Sequence, residues 1–264
     1  MTPESELLAR LETQASQSPP AGSRTLSIRG EKCGTLVSHT YDVLRSPAFY
    51  DIFEETGSGL DLPFAGEKAC ACLAELAEKL HKGGLIFQWR NELLDIASTD
   101  SGRKLAKAER GLFRFLGLTT TCVHALARSD DNRFWIAKRS DEKQVDPGLF
   151  DTLSGGLSSA GETPTDTLYR ETFEEAGLKP DDYTVLSPVE FLVTRPVREG
   201  WMRERTIVYS IQLKAGARPV NQDGEVTYFE TIDAPELLKR IDAGKLTLDA
   251  ALAFLYTLSG RPHS

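Results

Sequence analysis

The chain has 264 residues, of which 40% are hydrophobic and 27% are charged, a composition that is typical of globular proteins and excludes disorder throughout. Its 39 acidic and 31 basic residues give a formal net charge of −8, which disfavours nucleic-acid binding because a phosphate backbone would be repelled. The length favours two modest domains.

The sequence shows no targeting or membrane signal. No segment approaches the roughly 18 apolar residues of a membrane helix, and the start MTPESELLAR lacks the basic and apolar regions of a secretory signal. We therefore predict a cytoplasmic protein that does not bind a membrane. Its four cysteines are scattered along the chain, so we expect reduced packing residues rather than disulfides.

The first 117 residues mix helical and strand patterns. An amphipathic helix is predicted over 1–14, a hairpin over 25–38, and a helix over 67–82 that ends at two glycines. GLIFQWRNELLDIAS (84–98) is predicted as a strand and KLAKAERGLFRFLG (104–117) as a helix. Because the pattern changes after Gly117, we predict an N-terminal accessory α+β domain over 1–117 and a second domain over 118–264.

The second half begins with two β-branched or aromatic runs, at 119–127 and 133–140, and the intervening SDDN predicts a hairpin with Asp131-Asn132 in the turn. Three more strands are predicted from FLVTRPV, TIVYSIQL and EVTYFETI. The last elements are predicted helices over 235–243 and 248–258.

A helix with strong end signals lies between these strands, within GGLSSAGETPTDTLYRETFEEAGL (155–178). Thr163 can cap its N-terminus, Pro164 suits its first position, Asp166 completes a capping box, and Gly177 can end it. These signals predict a helix of about thirteen residues.

Three carboxylates share one stripe of this helix, because at about 100° per residue Glu171, Glu174 and Glu175 point the same way. Like charges at this spacing repel one another unless a cation lies among them, and oxygen ligands suit Mg²⁺ or Mn²⁺. Arg170 is placed to pair with a carboxylate and orient it. A charge run on a solvated helix face is the alternative interpretation, but the full spacing over 156–178 would arise by chance at roughly one start in a billion.

This spacing resembles the Nudix box, G-x5-E-x7-R-E-U-x-E-E-x-G-U, in which U is aliphatic. The matching residues are Gly156, Glu162, Arg170, Glu171, Glu174, Glu175, Gly177 and Leu178. Thr172 departs from the usual aliphatic residue, which bears on packing under the helix and removes no ligand. The resemblance implies a fold of the α+β class: a Nudix-type α/β/α sandwich with a mixed sheet over about 118–260, preceded by a smaller α+β domain. It also implies hydrolysis of a diphosphate linkage.

Three further segments, at 89–92, 134–156 and 223–232, are similar to the Nudix region of fungal thiamine pyrophosphokinase, a subgroup that also carries an N-terminal domain. They imply thiamine diphosphate, or damaged and oxidised forms of it, as the small-molecule substrate. An ADP-ribose or nucleotide-sugar pyrophosphatase is the alternative enzyme, and a non-catalytic diphosphate-binding module is the alternative outside the enzyme class. Isopentenyl diphosphate isomerase shares the fold, but no matching pattern is found around Cys122 and His124. The sequence is compatible with a homodimer.

The predicted roles follow from the box and from the charged residues around it. Metal-site candidates are Glu171, Glu174, Glu175, Glu162 and Gly156, and catalytic candidates are Glu171, Glu174, Glu175, Arg170 and Glu225. Glu225 follows Asp223-Gly224, so a plain turn carboxylate is its alternative interpretation. Substrate-binding candidates are Lys138, Arg139, Lys143, Arg205 and Trp89, with solvated surface charge or core packing as the alternative for each.

Overall fold

The structure, a computed structural model, describes residues 3–87, 89–143, 145–222 and 224–259. Asp223, which begins the predicted turn before Glu225, lies outside these ranges, as do the last five residues of the predicted second domain. None of the helices within the described ranges has the length and hydropathy that crossing a bilayer requires.

The first half contains short strands around one long helix. Its elements are α1 (Pro3–Ala15), β1 (Arg24–Ile28), β2 (Glu31–Leu36), α2 (Ser38–Leu44), β3 (Glu54–Glu55), β4 (Gly59–Leu62), α3 (Gly66–Lys82), β5 (Leu93–Ala97), β6 (Lys104–Glu109) and α4 (Gly111–Leu116). Four strands form a sheet in the order β2-β1-β4-β3, and β5 and β6 form a separate antiparallel pair. The predicted hairpin and the helix ending at Lys82 are confirmed.

The predicted helix over 104–117 is wrong in its first half. Residues 104–109 form β6, which pairs with β5 and buries Ala106 and Ala108 on one face, toward α3. Alanine, lysine and glutamate are good helix formers, but intrinsic propensity is small in energy, and pairing with a neighbouring strand overrides it. The predicted strand over 84–98 is also shorter than expected, because its described residues before Leu93 form turns and irregular backbone.

The second half is built on a seven-stranded sheet. Its elements are β7 (Thr119–Arg128), β8 (Phe134–Arg139), β9 (Phe150–Asp151), β10 (Ser154–Leu157), α5 (Pro164–Ala176), a 3₁₀ turn (Pro180–Asp182), β11 (Tyr183–Val197), β12 (Gly200–Leu213), β13 (Val226–Ile232), α6 (Ala234–Asp242) and α7 (Leu248–Ser259). Five strands run in the order β11-β12-β7-β8-β13, while β10 pairs with β7 and β9 with β8. The β7–β12 pair is parallel and the other pairs are antiparallel, so the sheet is mixed.

Helices cover both faces of this sheet, because successive side chains of a strand point to opposite faces. On β7, Ala125 and Ala127 pack in one core with Leu168 of α5, whereas Leu126 packs in another with α6 and α7. The predicted α/β/α sandwich is thereby confirmed. The first helix also belongs to this sandwich: Leu8 of α1 lies in the second core, and α1 packs against α7.

Candidate active site

A cleft of about 620 Å³ lies where α5, the β7–β10 edge of the sheet and the first half of the chain meet. This volume is in the range of small-molecule sites. Acidic side chains are the commonest charged groups on its walls: Glu92, Asp146, Asp151, Glu171, Glu174, Glu175, Glu199, Glu204, Glu225 and Asp249. The basic groups there are Arg90, Arg110, Arg114, Arg139, Lys143 and Arg170.

The helix that brings the predicted glutamates here is fixed at both ends as its sequence predicts. The Thr163 hydroxyl accepts the Asp166 amide N–H, and the Asp166 carboxylate accepts the Thr163 N–H, which completes the capping box. Pro164 is the first helical residue, and Gly177 ends the helix with φ of 67°, a left-handed conformation that favours glycine. The angular positions of the glutamates on α5 are therefore determined locally.

Glu175 and Glu171 are the buried members of the stripe. Glu175 is 7% exposed and accepts the Gly155 N–H at 3.0 Å, so its carboxylate is fixed against β10. Glu171 lies against Gly156, where even one added Cβ would come 2.0 Å from its Oε1 atom. Glu174 lies at the solvent side, with half of its side chain exposed. Gly156 thus serves close packing: its missing side chain makes room for a carboxylate.

Arg170 holds the cluster together. Its guanidinium donates to Glu171 at 2.6 Å and to Glu174 at 3.2 Å, and it forms a two-point contact with Glu162 at 2.8 and 2.9 Å. It also donates to the Leu157 carbonyl at 3.0 Å, which ties α5 to β10. Charge-assisted contacts of this kind restrict rotamers as well as adding stability. Arg170 is therefore a positioning residue for three carboxylates.

The local environment separates the pKa values of these acids. Burial, reinforced by Glu171, raises the pKa of Glu175 to about 8, and the nearby Lys143 opposes this only in part. Burial also raises the pKa of Glu171, although Arg170 counteracts it. The hydrogen bond from Arg170 lowers the pKa of Glu162. The two buried carboxyls are thus under-compensated and favour an added cation.

Lys143 joins Glu225 to this cluster from the loop after β8. Its ammonium lies 3.8 Å from Glu175 and donates to the Glu225 carboxylate. Although burial acts to raise the pKa of Glu225, Lys143 and then Arg139 and Arg90 hold it below its usual value. Arg139 donates to Asp151 at 2.9 Å on the same side of the cleft. Arg139 and Lys143, two of the predicted substrate-binding residues, therefore line the cleft.

The residues fit a hard divalent cation by the chemistry of their donors. Glu171, Glu174 and Glu175 offer carboxylate oxygens in one cleft, and the two buried ones have pKa values raised by burial and by like charge. As the side chains stand, the described residues contain no group of three acidic, histidine or cysteine side chains gathered tightly enough to hold an ion. Arg170 and Lys143 instead supply the positive charge.

Four of the predicted site residues do not line this cleft. Glu162 supports it indirectly, through Arg170. The Lys138 ammonium lies 4.7 Å from the centre of the Phe150 ring, and Arg205 pairs with Glu190 on the exposed face of the β11–β12 hairpin. Trp89 packs on the first-half core and donates to Asn91, so it fits the alternative interpretation of core packing.

The floor of the cleft is formed by residues of β7, β12 and α7 that the sequence does not predict as site residues. Cys122 and His124 face the cleft from β7, with 3.4 Å between Sγ and Nε2. Glu204 is 7% exposed and accepts the Thr120 hydroxyl at 3.0 Å. Burial and then the charge of Glu204 raise the pKa of Asp249 above its ordinary value. The pairing of β7 with β12 places Glu204 beside Thr120, and α7 adds Asp249 to the same floor.

The segment that contains α5 and its glutamates matches a known protein family. A family model described as the NUDIX domain matches residues 118–251, which is half of the chain. The chain belongs to the Nudix family. The match begins directly after Gly117 and contains α5 with all of its glutamates.

Several relatives of this Nudix chain are themselves Nudix hydrolases by name. Nudix hydrolase 24, chloroplastic, from Arabidopsis thaliana is 28% identical over 67% of this chain and 49% of its own length. An uncharacterized Nudix hydrolase of Streptomyces coelicolor is 29% identical over 62% of this chain and 87% of its own length. The match to this chain thus spans about half of the Arabidopsis protein. It also covers more of this chain than lies after Gly117, so the similarity reaches into the first half.

A solved structure supports the fold. The crystal structure of DR0079 from Deinococcus radiodurans superposes with a TM-score of 0.50 at 22% identity, over 63% of this chain and 98% of that one. At this identity the likeness concerns the fold alone.

Proposed function

We propose that this chain is a divalent-metal-dependent pyrophosphohydrolase that cleaves a diphosphate linkage in a small molecule. The observation that carries the proposal is the convergence of Glu171, Glu174 and Glu175 on one polar cleft, where burial raises the pKa of two of them and Gly156 leaves space for a carboxylate. Glu171, Glu174 and Glu175 would hold Mg²⁺ or Mn²⁺, with Gly156 allowing the approach. When bound, such an ion neutralises phosphoryl oxygens and lowers the pKa of a bound water.

The remaining groups bind and orient the substrate. Arg139 and Lys143 lie on the cleft wall and are placed to contact phosphoryl oxygens. Arg170 keeps the glutamates in position, and Glu162 in turn orients Arg170. Glu225 lines the cleft and is ionised near neutral pH, so it can accept the proton of the attacking water, although its lowered pKa makes it a weaker base than an ordinary glutamate. These five side chains would supply charge and orientation around the diphosphate of the substrate.

Thiamine diphosphate or an oxidised form of it is the proposed substrate. The support is the similarity of segments 89–92, 134–156 and 223–232 to the Nudix region of fungal thiamine pyrophosphokinase. We also propose that the protein acts in the cytoplasm and that a homodimer is compatible with activity.

The test is hydrolysis of a panel of thiamine diphosphate, its oxidised analogues, ADP-ribose and dinucleotides, with Mg²⁺ or Mn²⁺, in which chromatography quantifies the monophosphate products that every member of the panel would yield. We expect the thiamine compounds to give the highest kcat/KM. A lead of more than tenfold for ADP-ribose would overturn the thiamine assignment and leave the reaction type standing. Diphosphate binding without any hydrolysis would instead indicate a non-catalytic module.

A further inference from the structure

One wall of the cleft comes from the first half of the chain. Phe87, Arg90, Glu92, Arg110 and Arg114 all precede the matched Nudix segment, yet they line the same cavity as the α5 glutamates. This N-terminal wall is basic and aromatic, whereas the α5 side is acidic. A ligand in the cleft would therefore contact both halves of the chain.

Arg114 is the distinctive charge of the N-terminal wall. Arg110, the residue directly before α4, and Arg114 within it are four residues apart, so they lie on the same side of that short helix. The Arg110 guanidinium pairs with Glu92 at 2.9 Å. The partly buried Arg114 side chain, in contrast, makes no hydrogen bond or ion pair with any residue of the described ranges. A guanidinium left uncompensated in a cavity favours an anionic ligand.

Phe87 is the distinctive apolar group of the same wall. Its side chain is 48% exposed, although phenylalanine is usually buried. The Arg198 guanidinium, from the turn between β11 and β12, lies 4.0 Å from the ring centre. A ring held in this way at the edge of a polar cavity suits stacking on a second planar ring.

The N-terminal wall is coupled firmly to the Nudix segment. The Ala160 N–H donates to the Leu93 carbonyl at 2.7 Å, and the Ser159 hydroxyl donates to Glu92 at 3.2 Å. These contacts tie the loop before α5 to the start of β5. On the other side, Gly200 packs so closely on α4 that an added Cβ would lie 2.6 Å from the Arg114 carbonyl oxygen. Arg114 and the glutamates thus keep a defined separation.

We propose that the N-terminal wall is the specificity subsite of this enzyme: Phe87 stacks on a planar heterocycle attached to the diphosphate, and Arg114 binds a phosphoryl oxygen opposite the α5 glutamates. The inference rests on the proposed function for the identity of the anion. It assigns the first half of the chain a direct part in substrate selection. It also predicts that a diphosphate without a ring binds more weakly.

The test is equilibrium binding by calorimetry with Mn²⁺ present, using two probes that cannot be cleaved. These are the methylene analogue of thiamine diphosphate, which has rings, and methylenediphosphonate, which has none. Phe87→Leu is expected to weaken the first probe about three- to tenfold and leave the second unchanged. Arg114→Gln is expected to weaken both probes about ten- to hundredfold. Mn²⁺ affinity, measured by electron paramagnetic resonance, should be unchanged in both variants.

Two matched variants control for surface effects: Tyr50→Leu removes an exposed aromatic ring and Arg218→Gln an exposed arginine, both outside this cleft. Wild-type affinities in both Phe87→Leu and Arg114→Gln would overturn the subsite while leaving hydrolysis intact. Failure of the wild-type chain to bind either probe would overturn it as well. Binding that falls as expected, in a chain that hydrolyses no diphosphate, would support the subsite and refute the proposed reaction.

Discussion

Gly156→Ala isolates the space that the chain reserves for the Glu171 carboxylate. The new Cβ would lie 2.0 Å from Oε1 and 2.4 Å from the carboxyl carbon, whereas ordinary contacts begin near 3.4 Å. The carboxylate must therefore move by about 1 Å or more, and this movement disturbs its 2.6 Å contact with Arg170. The backbone at this position is not left-handed, so alanine adds no conformational strain.

We expect this variant to remain folded, with a stability loss of about 1–2 kcal/mol, and to bind Mn²⁺ about ten- to hundredfold more weakly. Thermal unfolding measures the first quantity and a calorimetric Mn²⁺ titration the second. Gly57→Ala is the matched control, because no heavy atom lies within 4 Å of its new Cβ and its φ is not positive. Equal Mn²⁺ affinity in the two variants would refute the role of Glu171 as a ligand.

Three further predictions concern α5. Arg170→Gln should lower the free energy of unfolding by about 2–4 kcal/mol, because it leaves partly buried carboxylates without their ion-pair partner. Arg205→Gln, which removes one partner of an exposed ion pair, should lower it by less than about 1 kcal/mol. Equal losses for the two variants in urea unfolding would contradict this prediction. Thr172→Val should cost about 1–2 kcal/mol, because the buried Thr172 hydroxyl lies 2.9 Å from the Tyr183 hydroxyl; an unchanged midpoint would refute it. Without metal, the pKa of Glu175 is about 8 in the folded chain against an ordinary 4.5, so the folded chain retains a proton between these pH values that the unfolded chain has lost. The free energy of unfolding should therefore fall as the pH rises from about 4.5 to about 8, and Glu175→Gln should flatten this dependence. A pH dependence in Glu175→Gln equal to that of the wild type would contradict the prediction.

The sequence predicted best what local chemistry decides. The Thr163–Asp166 capping box, the Gly177 terminus and the direction of the three glutamates depend on neighbours within one or two helical turns, and the structure has all of them. The Asp131-Asn132 turn is of the same kind: Asn132 adopts φ of 64°, which asparagine tolerates better than most residues.

Local sequence patterns do not predict contacts between segments that are distant along the chain. The strand at Lys104–Glu109 exists because Leu93–Ala97 pairs with it, which no local pattern records. Phe87 and Arg114 reach the cleft only because the first half docks on the loop before α5. The sequence predicts Trp89 and Arg205 as substrate-binding residues, but Trp89 packs on the first core and Arg205 pairs with Glu190, so both lie outside the cleft.

The most direct test of the central claim is hydrolysis by Glu174→Gln and Glu175→Gln at saturating Mg²⁺, with thiamine diphosphate and ADP-ribose as substrates. Both substitutions keep the size of the side chain and remove its charge, and thermal unfolding checks that each variant is folded. If the α5 glutamates hold the catalytic ion, kcat should fall by at least about a hundredfold in each. Wild-type rates in both variants would contradict the assignment of this cleft as the active site.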